Sequence, residues 1–158
     1  MSAPTPPTIE LCHTVADSYH HQLLPFYAQF DQVPPPCIYV ACSGGRDSLV
    51  LLDSLCQLSH QLNVSLQVLH VNHRLQVSSD DWQQQVEVFC MARGLVCISL
   101  TLDWQADCVG QVNEQTARQA RYQALANWLA AHHTAAAPPV LVLAHHADDH
   151  AETFLLNL

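Results

Sequence analysis

Two short stretches of the sequence carry side chains that could do chemistry on a phosphorylated substrate. The first, SGGRDS at residues 43–48, follows an apolar run and opens a helical pattern. The second, HHADDHAE at residues 145–152, follows another apolar run and carries Asp149 and Glu152 three positions apart. Glycines at the end of a strand let backbone N–H groups and the positive end of a helix dipole approach phosphate. The carboxylate of Asp47 beside such a site indicates a bridging Mg²⁺ ion.

The glycine loop does not fit the two most familiar phosphate-binding patterns. A Walker A loop needs GxxxxGK[ST], and the sequence contains no lysine, its five basic residues being arginines. The dinucleotide fingerprint GxGxxG needs three spaced glycines, and after Gly44 and Gly45 the next glycine is Gly94. Both classes are excluded. A structural alternative stays open, in which Asp47 and Ser48 only stabilise the first turn of a helix.

The second stretch has alternatives of its own. Asp149 and Glu152 share one face of the predicted helix, but the same spacing forms a capping box that would satisfy free N–H groups. His146 and His150 stand four apart, whereas the zincin pattern HExxH requires Glu where this sequence has Ala147. A zinc site is therefore disfavoured, and the capping box remains an alternative to a functional carboxylate pair.

The elements that must position these stretches alternate along the chain. Apolar runs at residues 37–43, 66–71, 96–102 and 140–145 predict four strands buried on both faces. Helical patterns separate them at residues 49–60, 80–93 and 113–132, and a last helix is predicted to begin near Asp148. This alternation indicates the α/β class, with an open parallel sheet and right-handed crossovers.

Composition limits the remaining possibilities. The 158 residues suffice for one domain with its own core, and residues 1–36 are predicted to be an N-terminal arm with a helical segment interrupted near Pro25. Seven scattered cysteines without a CxxC pair indicate reduced thiols of a cytosolic protein. No signal-peptide pattern or bilayer-length apolar run is present, so we expect a cytoplasmic protein without a membrane partner. The net charge of −9 argues against holding nucleic acid by bulk electrostatics.

Four stretches in order resemble the catalytic domain of bacterial tRNA(Ile)-lysidine synthetases. SGGRDS matches the SGGxDS loop of the N-type ATP pyrophosphatases, the PP-loop superfamily. The stretches that narrow the match are LHVNHRLQVSSDDW, NEQTARQARYQAL and LAHHADDHAETFLLNL. The similarity runs from about Ile38 to Leu158, and we expect residues 37–158 to be the PP-loop domain. The resemblance implies a Rossmann-like adenine nucleotide alpha-hydrolase fold. We predict the strand order 3-2-1-4, which brings both motifs to the carboxyl edge of the sheet.

The resemblance also implies an activity. Enzymes of this family use ATP to adenylate the C2 oxygen of the wobble cytidine in tRNA(Ile) with a CAU anticodon, releasing pyrophosphate. Free L-lysine then displaces AMP and forms a carbon–nitrogen bond. The implied co-substrate is ATP and the implied cofactor is Mg²⁺. The sequence carries no signal for an oligomeric state.

Residue roles are implied by the same motifs. The residues that would bind ATP, with the phosphates at the loop and adenine at the end of the second strand, are Ser43, Gly44, Gly45, Arg46, Asp47, Ser48, His70, Val71 and Asn72. The residues that would act in catalysis are Asp47, Arg118, Arg121, Asp149 and Glu152. Asp47 and Asp149 would hold Mg²⁺, and Asp149 and Glu152 would attract the ammonium group of lysine. An alternative for Arg118 is a solvated i, i+4 pair with Glu114, and Tyr122, Leu125 and Trp128 are predicted to be core residues.

Departures from the family pattern qualify this picture. The family usually has glycine where this chain has Arg74, and glutamine where it has His150. Family members continue beyond FLLNL with domains that grip tRNA, so we expect the ATP-binding portion alone, with weak or no ligation. One alternative is a related tRNA-thiolating enzyme, although the CxxC pairs of that group are missing. The other is a nucleotide-binding fragment without catalysis.

Overall fold

The computed structural model describes residues 17, 20–21, 24–29, 37–104, 112–133, 139–147 and 150–152. The strands are β1 (Ile38–Ala41), β2 (Leu66–Asn72), β3 (Val96–Thr101), β4 (Val140–Leu143), β5 (His145–Ala147) and β6 (His150–Glu152). The helices are α1 (Leu24–Ala28), α2 (Arg46–Leu62), α3 (Ser79–Ala92) and α4 (Glu114–His132). From β1 to β4 the predicted alternation of strand and helix is confirmed, and each predicted bound lies within a few residues of the observed one.

The four longer strands form one parallel sheet in the order β3-β2-β1-β4. The predicted order 3-2-1-4 is therefore confirmed. Ile38 of the central strand β1 is level with Leu66 of β2 on one side and with Val140 of β4 on the other. Because parallel strands end at the same edge, the segments that follow β1, β2 and β4 meet at the carboxyl edge of the sheet.

Apolar side chains cover both faces of the sheet. One cluster joins it to α2 and α3 and includes Val68, Leu52 and Val86. The other joins it to α4 and includes Leu69 and Leu129. Each of these five side chains is at most 1% exposed. Burying a side chain of this kind stabilises the fold by roughly 1.5–3 kcal/mol, so the two clusters hold the carboxyl edge in a fixed position.

Strand β3 departs from the prediction of strands buried on both faces. Its residues are intermediate or exposed, and Val96 is 57% exposed. In the described part of the chain β3 pairs with β2 alone, at the edge of the sheet. The apolar run did predict a strand, but its position at the edge leaves less protein to cover it.

After β4 the described chain forms a hairpin where a helix was predicted. β5 pairs antiparallel with β6, and His145 stands opposite Glu152. Two residues separate the strands, a length that suits a hairpin connection, whereas a short helix must overcome a costly nucleation step. The prediction of a helix that begins near Asp148 is therefore wrong for residues 150–152.

In the N-terminal arm, α1 contains Pro25 as its second residue. Proline is tolerated in the first turn of a helix because the N–H it lacks would have no intrahelical partner there. Pro25 thus lies at the beginning of a helix, and most of the helical segment predicted before it falls outside the described residues. No helix among the described residues is long and apolar enough to cross a membrane.

Candidate functional site

Gly44 is the point at which the loop between β1 and α2 meets helix α3. Its φ is +88°, in the left-handed region that favours glycine. A Cβ atom built here would lie 3.1 Å from the Cβ of Trp82 and 3.3 Å from the carbonyl oxygen of the same residue. Backbone conformation and the close packing of α3 therefore both require glycine at this position.

Gly45 has a different environment from its neighbour. Its backbone is extended, with φ −69° and ψ 159°, and it caps the N-terminus of α2. The nearest atom to a Cβ built on Gly45 is the Oγ of Ser43, at 3.4 Å, which is an ordinary contact. Because Gly45 also lines a large cavity, it is the glycine whose missing side chain leaves room for a ligand.

Hydroxyl groups hold the loop in shape. The Oγ of Ser48 donates to the carbonyl oxygen of Gly45 at 2.8 Å and lies 3.1 Å from the Oγ of Ser43. The thiol of Cys42 donates to the same Ser48 oxygen at 3.5 Å, and Ser48 is 5% exposed. Ser48 thus fixes the turn from inside, whereas Ser43 is exposed and lines two cavities.

Arg46 and Asp47 occupy the first turn of α2 with exposed side chains. A carboxylate in this position interacts favourably with the positive end of the helix dipole. Neither residue lines the two cavities described next. The structure therefore places Asp47 at the start of α2, as predicted, and outside the lining of both cavities.

The larger cavity has a volume of about 650 Å³ and opens at the carboxyl edge. Its walls include Ser43 and Gly45 of the loop, residues 70–72 at the end of β2, Trp82 of α3 and Arg121 of α4. The volume is within the range of cavities that bind small molecules and cofactors. Of the predicted ATP-binding residues, Ser43 and Gly45 of the loop and residues 70–72 thus line one cavity, together with Arg121, whereas Gly44, Arg46, Asp47 and Ser48 do not line it.

A smaller cavity of about 230 Å³ adjoins it on the β4 side of the loop. Arg118 and Tyr122 line the smaller cavity, and Ser43, Glu114 and Arg121 line both. The guanidinium of Arg118 lies 5.7 Å from the ring centre of Tyr122, with its Nη2 atom 3.5 Å from the hydroxyl oxygen. Arg121 therefore lies where the two cavities meet, and Arg118 lies on one side only.

The sequence predicted core positions for Tyr122, Leu125 and Trp128 of α4, and left open an i, i+4 ion pair between Glu114 and Arg118. Leu125 is 4% exposed and is a core residue as predicted. Tyr122 and Trp128 are partly buried and pack against the apolar cluster on that face of the sheet, and Tyr122 and Leu125 also line the smaller cavity. Among the described residues, the ion pair that the structure records joins Arg93 to Asp53, rather than an arginine of α4 to Glu114.

His70 supplies a buried hydrogen-bond acceptor beside the larger cavity. Its Nδ1 lies 2.8 Å from the carbonyl oxygen of Cys42, and because a carbonyl only accepts, Nδ1 must carry the proton. Burial lowers the pKa of His70, which favours the neutral ring. The Nε2 atom is then an acceptor, and it is buried without a partner among the described residues. His70 both secures the end of β1 and leaves an unmet polar atom.

The side chain of Asn72 organises the loop after β2. Its Nδ2 donates to the Oδ1 of Asp80 at 2.7 Å and to the Oε1 of Gln83 at 2.9 Å, and its Oδ1 accepts from the backbone N–H of Arg74 at 3.0 Å. Arg74 has φ +50°. This left-handed conformation gives a physical reason for the glycine that the family usually has there, since side chains strain it by roughly 1–2 kcal/mol.

Two aromatic residues of the larger cavity were missed by the sequence reasoning. Nδ1 of His73 accepts from the backbone N–H of Leu75 at 3.1 Å, and burial and the charge of Arg121 lower the pKa of His73. The ring of Trp82 stands edge-on to it, with the ring centres 6.3 Å apart. His73 follows directly after β2, a position that could have identified it. The sequence spacing contains no such signal for Trp82, which lies on the next helix.

The predicted second carboxylate cluster is only partly described. Asp149 lies outside the described residues, and Glu152 and His150 belong to β6. The pairing of Asp47 with Asp149 thus stays a prediction. Within the described ranges, no group of three or more His, Cys, Asp or Glu side chains is arranged to hold a metal ion.

Comparison with known proteins identifies the family. Residues 16–158 match the family model of the PP-loop domain. The tRNA(Ile)-lysidine synthase of Alkalilimnicola ehrlichii is 41% identical over 119 residues, covering 75% of this chain and 25% of the relative. That of Psychrobacter sp. is 35% identical over 136 residues, covering 84% and 24% respectively. The chain spans about a quarter of the length of these curated relatives.

Solved structures agree on the fold. The U34-tRNA thiolase NcsA of Methanococcus maripaludis, solved with its [4Fe-4S] cluster, superposes with a TM-score of 0.61 at 19% identity, over 77% of this chain and 41% of that one. The NH3-dependent NAD synthetase of Campylobacter jejuni superposes with a TM-score of 0.53 at 11% identity, over 87% and 56%. Because the family model covers most of the sequence and the sheet order matches the expectation, the chain belongs to the PP-loop domain family.

Proposed function

We propose that this chain is the ATP-binding portion of a tRNA(Ile)-lysidine synthase that works in the cytoplasm. The observation that carries the proposal is the meeting of the glycine loop, the end of β2 and Arg121 around one cavity of about 650 Å³. The names of the relatives at 35–41% identity support the choice of reaction. The substrates would be ATP, free L-lysine and tRNA(Ile) with a CAU anticodon.

The phosphates of ATP would lie against the loop formed by residues 43–48. Backbone N–H groups at the start of α2 and the helix dipole would attract them, and Gly45 leaves the space for their approach. Arg46 would add a positive charge from the exposed side. Ser48 would act by holding the loop, since its hydroxyl hydrogen is already donated to Gly45.

The base of ATP would lie at the end of β2. The side chain of Asn72 is committed to Asp80 and Gln83, so its contribution would be to shape the loop that borders the cavity. His70 and Val71 line the same cavity and would contact the nucleotide more directly.

Mg²⁺ fits the chemistry of Asp47, whose exposed carboxylate offers hard oxygen ligands beside the proposed phosphate site. When bound, the ion would neutralise phosphate charge and stabilise the departing pyrophosphate. Asp149 would be a second ligand, and with Glu152 it would attract the ammonium group of lysine.

The arginines of α4 would act at the reacting phosphate. The cytidine C2 oxygen would attack the α-phosphorus of ATP as the bond to pyrophosphate breaks, and the lysine amine would then attack C2 as AMP leaves. Arg121 lines both cavities, so it would face the phosphate in both steps. Arg118 lines the smaller cavity, which would place it nearer the second substrate.

Nucleotide binding is tested by calorimetric titration of ATP with Mg²⁺ into the full chain. We expect Asp47→Asn to weaken binding at least about tenfold, or roughly 1.4 kcal/mol. Asp81→Asn is the matched control, because Asp81 is also an exposed acid in the first turn of a helix. Equal affinity in the Asp47 variant and the control would contradict the role of Asp47.

Catalysis is tested by single-turnover release of AMP from ATP with tRNA(Ile) and lysine. We expect the 158 residues alone to bind ATP and to ligate little or no lysine, because the chain covers only a quarter of its relatives. Ligation at the rate of a full-length relative would contradict this expectation. ATP binding without AMP release, even when the rest of a full-length relative is supplied, would favour a non-catalytic nucleotide-binding fragment.

The thiolation alternative is less well supported. The resemblance to the thiolase NcsA is one of fold, at 19% identity. The cysteines of this sequence, at positions 12, 37, 42, 56, 90, 97 and 108, form no CxxC pair that would hold a cluster of that kind.

A further inference from the structure

Two aromatic side chains, Trp82 of α3 and His73 directly after β2, form a corner in the wall of the larger cavity. Both line this cavity, and neither lines the smaller one. Their ring centres are 6.3 Å apart and their planes meet at 71°, an edge-to-face arrangement that aromatic pairs favour. Both residues are only partly buried, so ring surface is left for a ligand to cover. We call these two residues the aromatic corner.

The side chain of Trp82 reaches from the glycine loop to the end of β2. Its Cβ atom lies 3.1 Å from the position of a Cβ built on Gly44, so the root of the side chain packs against the loop. Its ring, at the other end, meets the ring of His73. The aromatic corner therefore begins beside the proposed phosphate site and ends beside residues 70–72.

Hydrogen bonds hold His73 in place and fix its protonation. Its Nδ1 accepts from the backbone N–H of Leu75 at 3.1 Å, and its carbonyl oxygen accepts from the indole Nε1 of Trp104. Because Nδ1 accepts, a neutral ring carries its proton on Nε2. Burial and the charge of Arg121 lower the pKa of His73, which favours this neutral form. A neutral ring lacks the charge that attracts phosphate, so the aromatic corner suits the uncharged base of a nucleotide.

We propose that the aromatic corner receives the adenine of ATP, with the base stacked on the indole of Trp82 and bordered by His73. This inference rests on the proposed function, because it takes the phosphates to lie against residues 43–48. Trp82 is joined to that loop through Gly44, and neither aromatic residue lines the smaller cavity. The base is therefore assigned to ATP rather than to the cytidine of tRNA.

The test is calorimetric titration of ATP and of inorganic tripolyphosphate, each with Mg²⁺, into the full chain. Trp82→Leu removes the aromatic face but keeps the Cβ atom that packs against Gly44. Since stacking on an aromatic side chain contributes strongly to binding a base, we expect this variant to bind ATP about 5- to 100-fold more weakly. Its affinity for tripolyphosphate, which has no base, should be unchanged. Trp82→Phe restores an aromatic face and should recover most of the affinity for ATP.

Tryptophan fluorescence gives a second readout that a merely structural role would not move. ATP should quench the emission of the wild type, and this quenching should disappear in Trp82→Phe. Trp128→Phe is the matched control, because Trp128 is also partly buried but lines neither cavity, and it should keep the quenching. Free cytidine stands in for the base of tRNA and should quench far less than ATP; equal quenching would overturn the assignment to adenine.

Circular dichroism establishes that each variant is folded. If folded Trp82→Leu bound ATP as tightly as the wild type, the inference would be wrong while the proposed function would stand. Equal losses of affinity for ATP and tripolyphosphate would show that Trp82 acts by packing against the loop, and would also overturn the inference. If the folded wild type did not bind ATP, the inference and the proposed function would both be contradicted.

Discussion

Alanine in place of Gly44 should destabilise the fold far more than alanine in place of its neighbour Gly45. The φ of +88° at Gly44 would strain an alanine by roughly 1–2 kcal/mol. The added Cβ atom would also lie 3.1 Å from the Cβ atom of Trp82 and 3.3 Å from the carbonyl oxygen of Trp82. Neither of these atoms can move aside by rotation of the Trp82 side chain, because both are fixed by the α3 backbone. Such overpacking adds about 1–3 kcal/mol. We therefore expect a total loss of about 2–5 kcal/mol in the free energy of unfolding.

Two further glycines provide the controls. Gly94 has φ +66° with nothing within 4 Å of its built Cβ, so Gly94→Ala should carry the conformational cost of roughly 1–2 kcal/mol alone. Gly45 has an extended backbone and an ordinary contact at 3.4 Å, so Gly45→Ala should change stability by less than about 0.5 kcal/mol.

Urea denaturation followed by circular dichroism measures all three variants on the same scale. The predicted order of destabilisation is Gly44→Ala, then Gly94→Ala, then Gly45→Ala. If Gly44→Ala lost no more stability than Gly94→Ala, the packing of Trp82 against the loop would not be what requires glycine, and the reasoning would be refuted.

Three other predictions concern the end of β2 and the loop that follows it. Arg74→Gly should raise the free energy of unfolding by up to about 1 kcal/mol, because glycine adopts the φ of +50° without strain. Arg74→Ala should give no such increase. If both variants gained the same stability in urea denaturation, backbone strain at Arg74 would not be the cause. Asn72→Asp should cost about 3 kcal/mol in the same assay, because it removes both donors and places a carboxylate against Asp80; a neutral result would show that the network is dispensable. The free energy of unfolding should fall as the pH drops below about 6.5, because burial lowers the pKa of His70 in the folded state. His70 then takes up a proton in the unfolded chain while it stays neutral in the folded chain, which favours unfolding. The His70→Gln variant should lose less stability at low pH than the wild type. If the two proteins had the same dependence of stability on pH, burial of neutral His70 would not be the cause.

Local patterns were sufficient to predict the sheet. Apolar runs and helical spacing predicted β1 to β4 and α2 to α4, because both depend on which residues must be buried. The exposure of β3 depends instead on its place at the edge, which no single run of residues specifies. The hairpin of β5 and β6 was missed because Asp149 and Glu152 also fit the start of a helix.

The candidate site was predictable as a set of loops and less so as a set of contacts. The family resemblance implied that the end of β2 belongs to the nucleotide site, and residues 70–72 do line one cavity with Ser43 and Gly45 of the glycine loop, since parallel strands end at one edge. The sequence pattern indicated phosphate binding for both glycines, whereas Gly44 meets Trp82 of α3. The tight packing of Trp82 against Gly44, 38 positions earlier in the chain, and the hydrogen bond from Asn72 to Asp80 are tertiary contacts that spacing alone does not encode.

The central claim, that ATP binds in the cavity beside Gly45, is tested most directly by calorimetric titration of ATP with Mg²⁺ into the wild-type chain and Gly45→Ala. The account predicts saturable binding to the wild type and an affinity at least about tenfold lower in Gly45→Ala, with no loss of stability, because the added Cβ fills space that the phosphates need. Equal affinity in the two folded proteins, or no binding to the wild type, would contradict it.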